Sequence, residues 1–169
     1  MNRHYDRYLV AKYKPLYQNR NTHMTQTAMC WGFEVGNGWF DIVNQISYFL
    51  CYEWLQAETT ANHIVSRLGQ TLFTGEQTKY NYLVTLQHVE DALAKKDAAY
   101  NAVPLAVQVK EKYGTLRFYV HGASERQYAY IEFAEALSAN VCEICGDRGS
   151  RRGHVWITTR CNKHTTEHN

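Results

Sequence analysis

Three cysteines and a histidine near the C-terminus constrain the fold of this chain more than any other feature. Cys142, Cys145, Cys161 and His164 are spaced C-x2-C, fifteen residues and C-x2-H. Each two-residue gap lets both members of a pair reach one ion, while the glycines and the stretch HVWITTR between the pairs suit turns and a strand. The spacing therefore predicts that residues 141–169 form a zinc ribbon-like module packed on the body of the protein.

These four side chains would fill every position of a tetrahedral zinc ion. Because no position would remain for water or substrate, the spacing predicts a structural rather than a catalytic zinc. His154 and His168 are alternative nitrogen ligands, and they rank below His164 because C-x2-H repeats the spacing of C-x2-C. Paired free cysteines without a metal are the remaining alternative.

The hydrophobic stretches indicate neither a secretory signal nor a membrane span. The N-terminal stretch MNRHYDRYLVAKYKP lacks the apolar core of a signal peptide, and the most hydrophobic stretch, WFDIVNQISYFLCYEWL, contains Asp41 and Glu53. We therefore expect a cytoplasmic protein that makes no membrane contact. Thiols stay reduced in the cytoplasm, which favours metal binding by clustered cysteines over disulfides.

Composition indicates a folded protein whose charge is unlike that of a dedicated nucleic-acid binder. Of the 169 residues 45% are hydrophobic and 20% are charged, and there are thirteen tyrosines and four tryptophans. Tyrosine and tryptophan suit contact surfaces as well as cores. The net charge is only +2, and the first 141 residues, with thirteen basic and thirteen acidic side chains, sum to zero. Strong phosphate neutralisation needs a larger basic excess.

The body, residues 30–140, is predicted to be an α+β domain with helices packed on a small antiparallel sheet. Helical periodicity predicts helices at 39–50, 59–72 and 78–99, and VPLAVQVKEKYGTLRFYVHG predicts two strands joined near Tyr113 and Gly114. Val107 and Val109 alternate in the first strand. Leu116, Phe118 and Val120 alternate in the second and should face the core, with Arg117 and Tyr119 on the opposite side. Ser124 and Gln127 have the spacing of a capping box for a helix that ends near Asn140.

A glycine-rich turn, GNG, precedes the first of these helices. Gly36 and Gly38 suggest backbone at positive φ, and Asn37 between them is a candidate N-cap for the helix that follows.

Basic and aromatic residues at both ends of the chain are candidates for binding a partner. Residues 1–29 form a predicted basic, tyrosine-rich N-terminal arm, which either packs on the body or stacks on single-stranded nucleic acid. The candidate partner-binding residues are Arg148, Arg151, Arg152, Arg160 and Lys163 in the zinc module and Tyr5, Tyr8 and Tyr13 in the arm.

No sequence pattern points to catalysis. Glu34, His63, His88 and His121 are scattered without a spacing that predicts mutual contact, and the chain contains no G-x-S-x-G, P-loop or H-E-x-x-H motif. An enzyme acting on nucleotides or nucleic acid stays an alternative, because catalytic groups can converge from distant positions.

Three stretches together resemble a known group of proteins: FEVGNGWFDIV (33–43), VKEKYGTLRFYV (109–120), and CEICG followed by WITTRCNKH. In this order they resemble a family of small bacteriophage and prophage proteins to which no activity is attached. The resemblance implies an accessory protein that acts in the host bacterial cytoplasm. It implies binding to a host macromolecule, with inhibition of a bacterial defence system as the expected outcome.

These observations lead to two principal hypotheses. The first is a non-enzymatic protein that binds a host protein, because protein interfaces are anchored by Tyr, Trp and Arg. The alternative is a nucleic-acid-binding protein that uses the N-terminal arm and the arginines of the zinc module. The sequence does not specify an oligomeric state.

Overall fold

A computed structural model of the protein describes residues 1–74 and 86–165. These residues form α-helices and two small sheets, in agreement with the predicted α+β class. The helices are α1 (Arg3–Lys12), α2 (Phe40–Leu50), α3 (Tyr52–Thr74), α4 (Leu86–Asn101) and α5 (Glu125–Ser138). The strands are β1 (Phe33–Glu34), β2 (Leu105–Lys112), β3 (Thr115–His121), β4 (Ser150–Arg152) and β5 (Thr158–Arg160). Within the described ranges, no helix combines the length and the apolar run needed to cross a bilayer.

The chain groups into two compact units. One comprises Met1–Leu50 together with Pro104–Asn169, and the other comprises Cys51–Val103. The sequence-based division into 1–29, 30–140 and 141–169 stays a prediction.

The larger sheet is mixed, whereas an antiparallel sheet was predicted. Its order is β1-β2-β3, with β2 antiparallel to β3 and the two-residue β1 parallel to β2, so that Phe33 pairs with Val109. A strand as short as β1 leaves no alternating pattern in the sequence, which is why periodicity misses it. The ladder between β2 and β3 is interrupted by an irregularity between Ala106 and Gln108, so the expected alternation of Val107 with Val109 is broken.

The predicted hairpin and its inward face are confirmed. Leu116, Phe118 and Val120 on β3 are buried while Tyr119 between them is exposed, because side chains alternate across a strand. Helix α5 covers the outer edge of β3. The Ser138 hydroxyl accepts a hydrogen bond from the Leu116 amide at 2.8 Å, and a Glu135 carboxylate oxygen accepts one from the Phe118 amide at 2.8 Å. The side chains of α5 thus accept hydrogen bonds from backbone amides at the edge of β3, where an additional strand would otherwise pair.

Replacing Phe118 by alanine is expected to lower the free energy of unfolding by about 3–5 kcal/mol, because it opens a cavity in this core. Tyr119→Ala, on the exposed face of the same strand, is the matched control and should cost far less. Chemical denaturation followed by circular dichroism measures both variants. Equal unfolding midpoints for Phe118→Ala and the unmodified protein would show that the register of β3 is wrong.

The N-terminal segment contributes to the core of the first unit. Leu9, Tyr13, Leu16 and Tyr17 are all fully or almost fully buried. Tyr17 packs edge-on against the Phe33 ring, with their centroids 5.0 Å apart. Burial on this scale agrees with packing on the body rather than with an extended arm.

The second unit is built from α3 and α4. Trp54 and Ala61 on α3 and Ala92 on α4 are buried, and the Trp54 indole meets the Tyr100 ring edge-on at a centroid distance of 6.0 Å. The helix predicted at 59–72 lies within α3, which begins earlier, at Tyr52. The helix predicted at 78–99 corresponds to α4 over its described part, and residues 78–85 lie outside the described residues.

The two predicted helix caps have different outcomes. The Ser124 hydroxyl accepts from the Gln127 amide and the Gln127 side chain accepts from the Ser124 amide, so the capping box of α5 is confirmed. Asn37 does not cap α2. It begins a short 3-10 turn, Asn37–Trp39, and its side-chain oxygen accepts a hydrogen bond from the Asn2 amide at 2.8 Å.

Candidate metal centre

The four predicted ligands converge at one place. Their ligand atoms, three Sγ atoms and a ring nitrogen, all lie within 4.8 Å of one another. The Sγ atoms of Cys145 and Cys161 are 3.7 Å apart, and His164 Nδ1 lies 3.3 Å from Cys161 Sγ and 3.7 Å from Cys142 Sγ. Two thiolates on a tetrahedral zinc, with bonds of about 2.3 Å, would be about 3.8 Å apart. The cluster therefore has the dimensions needed to hold such an ion.

Two tight turns present the ligands. In the first, the Gly146 amide donates to the Cys142 carbonyl at 2.9 Å, and Gly146 has a φ of +82°, which glycine adopts readily. In the second, the 3-10 turn Asn162–His164 follows Cys161, and the His164 amide donates to the Cys161 carbonyl at 3.1 Å. Each two-residue gap thus closes a turn that points both ligands of a pair to the same side.

Hydrogen bonds within the cluster favour a thiolate at Cys142. Burial acts to raise the pKa of Cys142, but hydrogen bonds from the backbone N–H groups of Cys161, Cys145 and Ile144 and from the Cys145 side chain together outweigh it and lower the pKa to about 6. Metal ligation requires deprotonated sulfur, so this sulfur is prepared to bind a cation at neutral pH.

The first cysteine turn is bonded to the GNG turn of the body. The Gly38 amide donates to the Glu143 carbonyl at 2.8 Å, and the Gly36 amide donates to the Glu143 carboxylate at 2.9 Å. The indole N–H of the buried Trp39 donates to the Val141 carbonyl at 2.7 Å. These bonds fix the entry to the metal centre against the segment that leads into α2.

The backbone of the first cysteine turn comes so close to the GNG turn that two of its positions have room only for glycine. A Cβ on Gly38 would lie 2.2 Å from the Cys142 carbonyl oxygen and 2.4 Å from the Gly146 nitrogen, and a Cβ on Gly36 would lie 2.2 Å from the Glu143 carbonyl oxygen. The expectation of positive φ was wrong, since neither glycine is among the residues with positive φ and Gly36 has a φ of −69°. The missing side chain matters here because it leaves room for the metal-binding segment.

The second half of the segment is bonded to the tip of the β2–β3 hairpin. Strands β4 and β5 pair antiparallel, with Arg151 opposite Thr159. The buried Thr159 hydroxyl donates to the Gly114 carbonyl, and the Thr159 carbonyl accepts from the Glu143 amide at 3.1 Å. The GNG turn, the Tyr113–Gly114 turn and the cysteine segment, which lie far apart in the sequence, therefore meet around the metal centre.

Two of the five basic candidates in the module, Arg160 and Arg152, are held by close contacts within it. Arg160 pairs with Glu143 at 3.0 Å, and Arg152 donates to the Arg160 carbonyl at 3.3 Å and to the Asn162 side chain at 2.6 Å. The exposed Lys163 lies 3.9 Å from Asp147. Arg148 and Arg151 remain as exposed arginines of this group.

The three tyrosine candidates have different surroundings. Tyr13 is fully buried and its hydroxyl donates to the Asn44 side chain at 2.8 Å, so its ring offers no surface to a partner. The Tyr5 ring stacks on Phe40 at a centroid distance of 4.1 Å. Tyr8 is exposed.

Sequence reasoning missed an apolar tip on the β4–β5 hairpin. The stretch HVWITTR was expected to form a strand, but β5 begins only at Thr158. Val155 is 100% exposed and Trp156 is 79% exposed. Gly153, with a φ of +95°, starts the turn that carries both side chains outward, and a glycine just before two large apolar residues was the available indication.

The other histidine and carboxylate candidates form no comparable cluster. Over the described residues, the group of His, Cys, Asp and Glu side chains close enough to hold a metal is Cys142, Cys145, Cys161 and His164. His154 is not part of it, and His168 lies outside the described residues.

The chain matches no protein-family model, no curated protein and no solved structure. The resemblance to phage proteins therefore stays a prediction.

Proposed function

We propose that this protein is a non-catalytic binding protein in which a structural zinc orders a hairpin that engages a partner protein. The observation that supports it best is the apolar tip formed by Val155 and Trp156. Both side chains are exposed, and they lie on a hairpin whose two strands lead to the metal centre.

An exposed tryptophan of this kind favours an interface. A tryptophan offers a large apolar surface at a small cost in conformational entropy, and it is enriched among the residues that contribute most to protein–protein affinity. Arg151 is exposed on β4 of the same hairpin, and arginine is another residue type that is enriched among such interface residues. A partner with an apolar pocket beside an acidic group would fit this tip.

The charge distribution favours a protein partner over nucleic acid. Arg160 pairs with Glu143 and the Arg152 guanidinium is held by neutral acceptors within the module, so Arg148, Arg151 and Lys163 are the exposed basic side chains of the candidate group. Three exposed basic side chains would release few counterions, so binding to a nucleic-acid backbone at this surface would be weak.

The donor set supports zinc as the ion. Three thiolates and an imidazole suit zinc better than magnesium or calcium, which prefer oxygen ligands. All four ligands come from the protein, so the ion has a structural role and leaves no position for a substrate.

The expected context is infection of a bacterium by a phage. On the resemblance stated above, the partner is a protein of the host, and binding inhibits it, as expected for a component of a defence system.

The test is capture of host proteins by the purified protein and by Trp156→Ala. Because Trp156 is exposed, the variant should keep its fold, but a hot-spot tryptophan contributes about 2 kcal/mol or more, so we expect affinity for the partner to fall about thirtyfold. Phe133→Ala is the matched control, since Phe133 is 71% exposed on α5.

Two outcomes would contradict the proposal. One is equal capture by the protein and by Trp156→Ala. The other is recovery of nucleic acid in place of a protein, with an affinity that falls steeply as salt rises.

A further inference from the structure

A cleft far in sequence from the three metal-binding cysteines lies along α1. One wall is the helix face made by Arg3, Asp6, Arg7, Val10 and Ala11, whose spacing of three and four residues places them on one side of the helix. The opposite wall is the 3-10 turn Gln18–Asn21. The cavity has a volume of about 410 Å³, within the range of small-molecule sites.

An ion pair fixes the two walls to each other. Arg20 donates to both carboxylate oxygens of Asp6, at 3.3 and 2.9 Å, and its remaining terminal nitrogen donates to the Cys30 carbonyl at 2.7 Å. Gly32, at a φ of +84°, makes room for the pair, since a Cβ there would lie 2.5 Å from the Asp6 carboxylate. The charges of Arg20 and Asp6 thereby cancel, and the cleft is built around a rigid pair.

The other two arginines keep their full charge. Arg3 and Arg7 are exposed, and no hydrogen bond or ion pair reaches either guanidinium in the part of the chain that the structure describes. Like charges four residues apart on a helix repel, and a cation in the first turn opposes the helix dipole. An anion bound between the two guanidinium groups would relieve this repulsion.

The two ends of the cleft differ in polarity. Arg3 and Arg7 occupy the end near the start of α1, and Val10 and Ala11 lie about one turn beyond Arg7 and two turns beyond Arg3 on the same face. Asn21, with an amide that both donates and accepts, lies on the facing wall. A ligand with a dianionic group at one end and a flat or apolar body at the other matches this arrangement.

We propose that this cleft binds a phosphate monoester of mononucleotide size. A phosphate monoester carries a charge near −2 at neutral pH, which balances the two unpaired arginines, and guanidinium groups bind phosphate through paired hydrogen bonds. Its body lies against Val10 and Ala11. The site is independent of the metal centre and of the apolar hairpin tip.

Titration of the full chain with AMP and with inorganic phosphate, followed by calorimetry, tests the site. Both should bind, with AMP tighter because its body adds contacts. In Arg3→Gln/Arg7→Gln the affinity for both should fall about tenfold or more, since a charged hydrogen bond is lost with each guanidinium. The thermal unfolding of this variant should be unchanged or slightly higher, which separates loss of binding from loss of fold.

Two further variants test whether the ligand binds at this cleft. Arg148→Gln/Arg151→Gln removes the same charge from the metal module and should leave AMP affinity unchanged. Ala11→Leu keeps the helix but fills the apolar end, so AMP should weaken while inorganic phosphate binds as before. Each of the following results would overturn the proposal: no binding of either ligand by the unmodified protein, equal loss in the two arginine variants, or tighter binding of a single-stranded oligonucleotide than of AMP.

Discussion

Replacement of Cys161 by serine is expected to release the metal and to unfold the segment beyond Asn140. The segment has little apolar core of its own, because Val155 and Trp156 are exposed and its buried residues are Cys142, Thr159 and Cys161. Binding of zinc supplies on the order of 10 kcal/mol in modules of this kind, so its loss exceeds what the remaining contacts contribute. Helices α1 to α5 and the β2–β3 hairpin should largely persist.

Limited proteolysis with mass spectrometry measures this effect. New cleavage sites should appear between residues 141 and 164 in Cys161→Ser and nowhere else. Cys30→Ser is the matched control, because Cys30 is a half-buried free cysteine outside the cluster. A Cys161→Ser variant that resists protease as well as the unmodified protein would contradict a structural role for the ion.

Replacement of Gly38 by alanine is expected to lower both the stability of the protein and its affinity for the metal. The new Cβ would lie 2.2 Å from the Cys142 carbonyl oxygen, and the atoms in its way are backbone, which cannot rotate aside. Forcing such atoms apart costs about 1–3 kcal/mol or more. Because the displaced atoms belong to the first cysteine turn, the affinity for the metal should fall as well.

Thermal unfolding and competition with a zinc chelator measure the two consequences. Gly69→Ala is the control, since Gly69 lies within α3 and nothing would come within 4 Å of its Cβ. Alanine favours a helix interior over glycine by about 1 kcal/mol, so this variant should be slightly more stable. Equal stability and zinc retention in Gly38→Ala and the unmodified protein would show that the GNG turn does not approach the metal-binding segment this closely.

Local features were predictable from the sequence because local geometry produces them. The C-x2-C and C-x2-H pairs each close a turn, the capping box depends on residues three positions apart, and alternation along β3 follows from the pleat of a strand. The four ligands of the candidate metal centre were predictable for this reason.

Non-local packing was not predictable in the same way. The two-residue β1 is a strand only because it lies beside β2, and Gly36 and Gly38 are needed only because Glu143 and Cys142 come within contact of them. The exposure of the Trp156 side chain likewise depends on whether another part of the folded chain packs over it. A single sequence gives the residue types at these positions but not which residues contact them in the folded protein.

The metal content of the native protein tests the central claim most directly. Mass spectrometry under non-denaturing conditions, with elemental analysis of the same sample, should find one zinc ion per chain. The ion should be lost when the protein is denatured with a chelator, and its loss should coincide with protease sensitivity of residues 141–164. A native protein that contains no metal and still has an ordered segment through His164 would contradict the account.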